Sequence, residues 1–206
     1  MANAVDICNM ALANLGDVAD ITSLDPPEGS AQAERCAQFY PLAVSTLLEA
    51  HEWGFATKRE ALVPYSENSR DDWRFAYAMP ARCIRIIDIN DGPFPQRPPE
   101  FAKSRYDYEI GLNASGQKCL YTNLDNAIIR YIADIDEYLF PSSFVMALSW
   151  KLAGMLAGPM IKGEQGAQMT LNCEKMFAYW IDRAISLDAV QHREFSDSVP
   201  DWIARR

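Results

Sequence analysis

The chain has 206 residues, 49% hydrophobic and 23% charged, with a net charge of -9. This is the composition of one globular domain, or of one domain carrying a small inserted one, and it argues against disorder. The acidic balance argues equally against general affinity for nucleic acid, which needs a clustered basic surface, but does not exclude a conduit through which DNA slides without adhering.

Five cysteines, Cys8, Cys36, Cys83, Cys119 and Cys173, form an odd set with no C-x-x-C pair. That pattern predicts reduced thiols used as small apolar residues, with no zinc site and no cofactor. The start, Met1-Ala2-Asn3, has no basic and apolar signal segment, so synthesis in the cytoplasm of the producing cell is expected.

In chain order, Ile7, Ala11 and Leu15 recur at helical spacing from Ala4 onward, and Gly16 supplies a left-handed stop. A loop through Asp25-Pro26-Pro27 follows, and Ser30 is placed to cap the next helix. From Ala31 to Glu52, Ala33, Ala37, Tyr40, Val44, Leu47 and Leu48 make a second amphipathic stripe. Pro41 lacks an amide donor, which predicts a kink or two shorter helices.

From Trp53 the period changes to two, and alternation through Ala61 reads as a strand. Further strands are predicted over Trp73 to Met79, Cys83 to Ile89, Tyr106 to Gly111, Gln117 to Tyr121 and Ala127 to Ala133, in one small antiparallel sheet. The proline-rich stretch from Asp91 to Pro99 reads as a loop.

Two helices follow. Phe144 to Ala157, with Pro141 in its first turn and Gly158-Pro159 as its stop, carries Leu148, Leu152, Met155 and Leu156. The next carries Met169, Cys173, Met176, Trp180, Ala184 and Leu187 on one stripe, and a short loop makes the pair antiparallel. Phe144 to Ile161 approaches spanning length, but Lys151 in its middle and the absence of flanking basic clusters favour a buried helix outside any membrane. Ala147, Gly154 and Gly158 form a face of small residues, suited to close packing inside the subunit or to an interface with another. The pattern as a whole is α+β: residues 1–52 and 141–188 form a helical bundle, 53–140 an inserted sheet, and 189–206 an extended tail.

Chemistry is sparse. His51 and His192 are far apart, and His51 reads as a capping or packing residue beside Trp53. Gly163-Glu164-Gln165-Gly166 lacks the lysine and hydroxyl of a phosphate-binding loop. Carboxylates of Asp134-Ile135-Asp136-Glu137, or Asp88 with Asp91, could be paired as in a glycoside hydrolase, although solvated acidic residues are expected at strand ends. Trp53, Phe55, Trp73, Phe75 and Tyr77 have few basic neighbours, which favours a core over a stacking platform.

Read together, Ala11-Leu12-Ala13-Asn14-Leu15-Gly16, Ile21-Thr22-Ser23-Leu24, Cys36-Ala37-Gln38-Phe39-Tyr40-Pro41, Leu47 to Ala56, Arg59 to Leu62, Trp73 to Pro80 and Phe140-Pro141 occur in an order that resembles the tail tubular protein A family. These are the head-to-tail adaptors of short-tailed phages and their prophages, and the likeness covers about residues 4 to 160. It implies a virion structural protein without catalysis. Such adaptors form a ring, twelvefold in the family, between the portal protein and the tail nozzle protein of the tail tubular protein B type, and DNA leaves through the lumen without sequence-specific binding. Family adaptors dock by helices and an extended C-terminal arm, which here makes the Phe144 to Asp188 pair and the tail, with Trp202, Arg205 and Arg206, the docking candidates. The rival readings are a polysaccharide-degrading tail component and another neck protein, either a head-completion protein or a stopper.

Overall fold

In the computed structural model, which describes residues 2–18, 20–66, 68, 70–91 and 107–191, the chain folds as α+β, with helices at both ends of the sequence and strands between them. Helix α1 (Ala4–Asn14) starts on a reciprocal cap, Asn3 accepting from the Asp6 amide at 2.8 Å and donating its own amide to the Asp6 carboxylate at 3.0 Å. It ends where Gly16 takes φ 79° and Asp17 donates back to the Leu12 carbonyl at 3.0 Å. The Asn9 side chain then holds the following loop through both polar atoms of Ile21, which places Ile21 in the core.

Helix α2 (Ala31–Ala50) begins at Ser30, whose hydroxyl accepts from the Ala33 amide, and runs through Pro41 without dividing. Two shorter helices are not what forms. Residues before the proline (Ala33, Cys36, Tyr40) and after it (Ala43, Val44, Leu47, Leu48) are buried along the same helix, and that shared packing offsets one missing hydrogen bond.

The predicted strand from Trp53 starts late. Gly54–Ala56 form a 3-10 turn, because the Gly54 amide is taken by the Asp188 carboxylate and the Ala56 amide by the Trp53 carbonyl. Strand β1 (Thr57–Ala61) follows, then β2 (Phe75–Ala78), β3 (Cys83–Asp91), β4 (Tyr108–Leu112), β5 (Lys118–Thr122) and β6 (Ala127–Ala133). They build two three-stranded antiparallel sheets, ordered β1-β6-β3 and β2-β5-β4, instead of a single one. The chain crosses between them just after β1: Leu62 donates to the Ala127 carbonyl, while Tyr65 and Val63 bond to Ala76 and Ala78 beside β2. The loop read over Asp91 to Pro99 lies outside the described residues from 92 onward, and Asp91 itself ends β3.

Helix α3 (Ser142–Met160) is the centre of the bundle. It packs against α1 and α2 on one side and against α4 (Glu164–Gln191) on the other. Gly158-Pro159 does not stop α3, which includes Pro159 in its last turn; the chain leaves the helix at Ile161 and turns at Gly163, φ 75°. Lys151 is accommodated because its ammonium meets the Glu174 carboxylate at 3.0 Å and lies 5.0 Å from the centre of the Phe177 ring. One hydrophobic core runs from these helices through the first sheet to Tyr77 and Leu120 of the second. Ala76, Cys119 and Tyr121, on the second sheet's other face, form a separate small cluster.

Helix α4 is turned relative to its expected stripe. Cys173 and Ala184 are buried as predicted and Met169 and Trp180 pack partly buried against the core, but they share the inner face with Gly166 and Asp188, while Met176 and Leu187 are exposed. Two contacts that hydropathy does not register set this rotation. Gly166 lies so close to the end of α3 that a Cβ there would stand 1.8 Å from the Ile161 carbonyl oxygen, and Asp188 is held by the Gly54 amide.

Candidate functional site

The segments Leu47 to Ala56 and Phe140-Pro141 meet at an aromatic joint between helices and sheets. The Phe144 ring lies edge-on to Trp53 and Phe55 at 5.2 and 5.1 Å and tilted against Phe140 at 4.8 Å. The Trp53 indole donates to the Leu47 carbonyl at 2.8 Å, so this ring is fully used in packing. Phe75 and Tyr77 are 6.2 Å apart, and Trp73 packs beside the second sheet's cluster, so these aromatics do not form one open stacking surface.

His51 closes α2 and stacks edge-on against Trp53 at 4.9 Å, with Nε2 3.5 Å from Asp188. The buried Asp188 carboxylate also accepts the Gly54 amide at 3.1 Å through each oxygen, which ties the end of α4 to the start of the sheets. A cavity of about 230 Å³, lined by Trp53, Phe55, Ser142, Ser143 and Leu187, adjoins this contact. His192 lies outside the described residues.

Three of the carboxylates proposed for acid–base work, Asp88, Asp134 and Asp136, are engaged by arginine, and the Asp91 side chain lies outside the described residues. Arg82 stands 3.5 Å from Asp134 and 3.1 Å from Asp136, both half exposed, and Arg130 meets Asp88 at 2.7 Å. A glycosidase acid is kept protonated by a desolvated pocket, and these three groups instead form ion pairs, exposed at Asp134 and Asp136 and partly buried at Asp88. Glu137 is different: it accepts the Tyr40 hydroxyl at 3.3 Å and has no cation beside it among the described residues. Burial first, and the Glu137 charge second, push the Tyr40 hydroxyl well above its ordinary range. Between these groups lies a groove of about 380 Å³, lined by Tyr40, Val44, Ile84, Ile135, Glu137 and Phe140. Leu42, Tyr138 and Leu139 are exposed on the elements that form it.

The small-residue face resolves into two environments. Ala147 and Gly154 are buried, and a Cβ on Gly154 would stand 3.3 Å from Glu174 and 3.5 Å from Cys173, so the missing side chain serves the α3–α4 contact inside the subunit. Gly158 is exposed, with nothing within 4 Å of where its Cβ would be. The tail expected from Ala189 begins later, because Ala189 to Gln191 are the last turn of α4, and Trp202, Arg205 and Arg206 lie outside the described residues.

Sequence reading missed the outer face of α4, where Met176, Tyr179, Leu187 and Val190 are exposed together with Lys175 and Arg183. A helical wheel places these residues side by side, so the signal was present; assigning Met176 and Leu187 to the core hid it. It also missed Arg70, whose guanidinium binds Asp72 and Glu109 (2.6 Å to the latter) and covers the Tyr121 ring at 5.0 Å.

All five cysteines are free thiols; burial pushes the Cys83 thiol up to about 11, and the Cys8 thiol is pushed well up by its bond to Cys36 and by burial. Among the described residues no group of three or more His, Cys, Asp or Glu side chains is placed to hold a metal ion, and no helix is long and apolar enough to cross a membrane. No known family profile matches the chain, and no curated protein is significantly similar to it.

Proposed function

We propose that this chain is a phage head-to-tail adaptor of the tail tubular protein A type, a virion structural protein that assembles as a ring beneath the portal, seats the tail nozzle protein and lets DNA leave through its lumen. The observation that carries this reading is the ordered series of motifs from Ala11 to Pro141. Supporting it, two of the quoted segments, Leu47 to Ala56 and Phe140-Pro141, pack against each other at the aromatic joint through Phe55 and Phe140. A motif order that corresponds to one contact of the fold carries more weight than the same residues scattered. The net charge of -9 suits a channel that must not adhere to DNA.

The test is negative-stain imaging of the full chain mixed with its portal. Rings seated on the portal are expected, with the free chain a monomer or weak oligomer. A stable dodecamer formed without portal would contradict templated assembly, and binding elsewhere in the neck would favour a stopper or head-completion protein. Polysaccharide turnover that Asp134→Asn or Asp136→Asn removes would replace the structural reading with an enzymatic one.

A further inference from the structure

We infer that the outer face of α4 docks on the groove beside Glu137 of a second copy of this chain, a contact that rests on the ring reading and specifies which two surfaces of neighbouring subunits meet. The first surface is the row of Met176, Tyr179, Leu187 and Val190, exposed by 38%, 58%, 45% and 77%. Exposed apolar groups lined up on one helix face bury well against a complementary groove. Within this row stand Lys175 and Arg183, and neither has a carboxylate partner among the described residues. The second surface is the groove of about 380 Å³ between α2, β3 and residues 134–140, lined by the apolar groups of Tyr40, Val44, Ile84, Ile135 and Phe140. Its lining carries the carboxylates of Asp134 and Glu137, with Asp136 next in the chain; Arg82 pairs with Asp134 and Asp136 and leaves Glu137 without a cation among the described residues.

Charge decides which occupant fits. Lys175 and Arg183 are equally spaced about Tyr179, so two α4 helices related by a two-fold axis there would set the lysine of each against the arginine of the other. The acidic groove is complementary to the same two cations, whereas pairing α4 with itself offers them only Asp182. Within one subunit α4 packs on α3, and no residue of α4 lines the groove. The contact must then be made between copies, and joining two different surfaces head to tail is the type of contact that closes into a ring when the rotation permits.

The test places the photo-cross-linker p-benzoylphenylalanine at position 179 of the full chain and maps products by mass spectrometry up to the solubility limit. Links to residues 40–45 or 134–140 of another copy are expected. Lys175→Glu with Arg183→Glu should weaken self-association by about tenfold or more in sedimentation without changing the melting curve, and Asp134→Lys with Glu137→Lys in the mixing partner should restore it. Links from 179 to 179, links within one chain to residues 192–206, or no link between copies at any concentration would overturn the contact. Rings on the portal without these links would leave the adaptor reading standing and remove only this interface. Links without portal rings would do the reverse.

Discussion

The helical bundle and the second sheet solve the same problem with different resources. Around α3 the burial is thick: Phe144, Leu148, Leu152 and Leu156 are wholly enclosed between helices. The second sheet has one face on that core through Tyr77 and Leu120; on its other face, among the described residues, only Ala76, Cys119 and Tyr121 are buried, beneath Tyr65 and Trp73. Its edge strand β4 leaves Tyr108, Ile110 and Leu112 exposed and is fixed largely by polar ties, Arg70 to Glu109 and the Tyr121 hydroxyl to the Leu112 carbonyl at 3.1 Å. A region held by few apolar contacts and exposed polar ones opens at lower free energy than a region held by a shared core. The bundle therefore sets global stability, and the second sheet is the part that can open locally.

The largest effect should come from removing the joint. Phe144→Ala deletes a wholly buried ring against Trp53, Phe55 and Phe140, and a loss of about 3–5 kcal/mol in denaturant unfolding is expected. A loss below about 1 kcal/mol would mean that the joint does not couple helices to sheets.

Inside the bundle, Gly166→Ala puts a methyl group where the Ile161 carbonyl stands, and the turn between α3 and α4 must shift. We expect the upper part of the range of about 1–3 kcal/mol for overpacking. Gly154→Leu should cost less at first contact, since the nearest atom, Glu174 Oε1, is the movable end of a side chain, but the rest of the leucine meets Cys173, and the same range applies. Thermal melts should show both changes in the free subunit; a Gly154→Leu protein with an unchanged melt would dispose of the close α3–α4 contact.

In the second sheet, Tyr121→Phe removes one hydrogen bond to β4 and should cost about 0.5–1.5 kcal/mol. Amide exchange should locate the loss in β4 and β5 and leave α3 unchanged. If α3 lost protection to the same degree, the two regions would be one cooperative unit and the contrast drawn here would fail.

The smallest effect concerns acid. Hydrogen bonds from Arg70 hold the Asp72 and Glu109 carboxyls below their usual range. A depressed folded value means that the stabilisation is complete above the unfolded values, about 3.9 and 4.3, and is lost as pH falls through the lower folded ones. Amide protection of β4 should therefore decline on going from about pH 5 to about pH 3 before that of the bundle, and Arg70→Met should remove the pH step. An unchanged step in Arg70→Met would assign it to other carboxyls.

Local rules sufficed for much of this architecture. Asn3 and Ser30 are short polar side chains before apolar runs, Gly16 has no Cβ to oppose a positive φ, and the Asn113 to Gly116 turn joins two alternating stretches; each structure depends on residues within a few positions of one another. Helical and strand periods thus gave the α+β class and nearly every element. Three features depended on partners distant in sequence, and composition could not reveal them. Asp188 captures Gly54 across the fold and converts the first turn of a predicted strand into a 3-10 turn. The close approach of Gly166 to Ile161, together with that capture, rotates α4 and brings Met176 and Leu187 to the surface. The crossing at Leu62 to Tyr65 divides six strands into two sheets. Hydropathy ranks side chains by their cost in water, so it counts neither an absent side chain nor a buried carboxylate as core, and only the tertiary contacts decided which apolar residues of α4 were left for another surface.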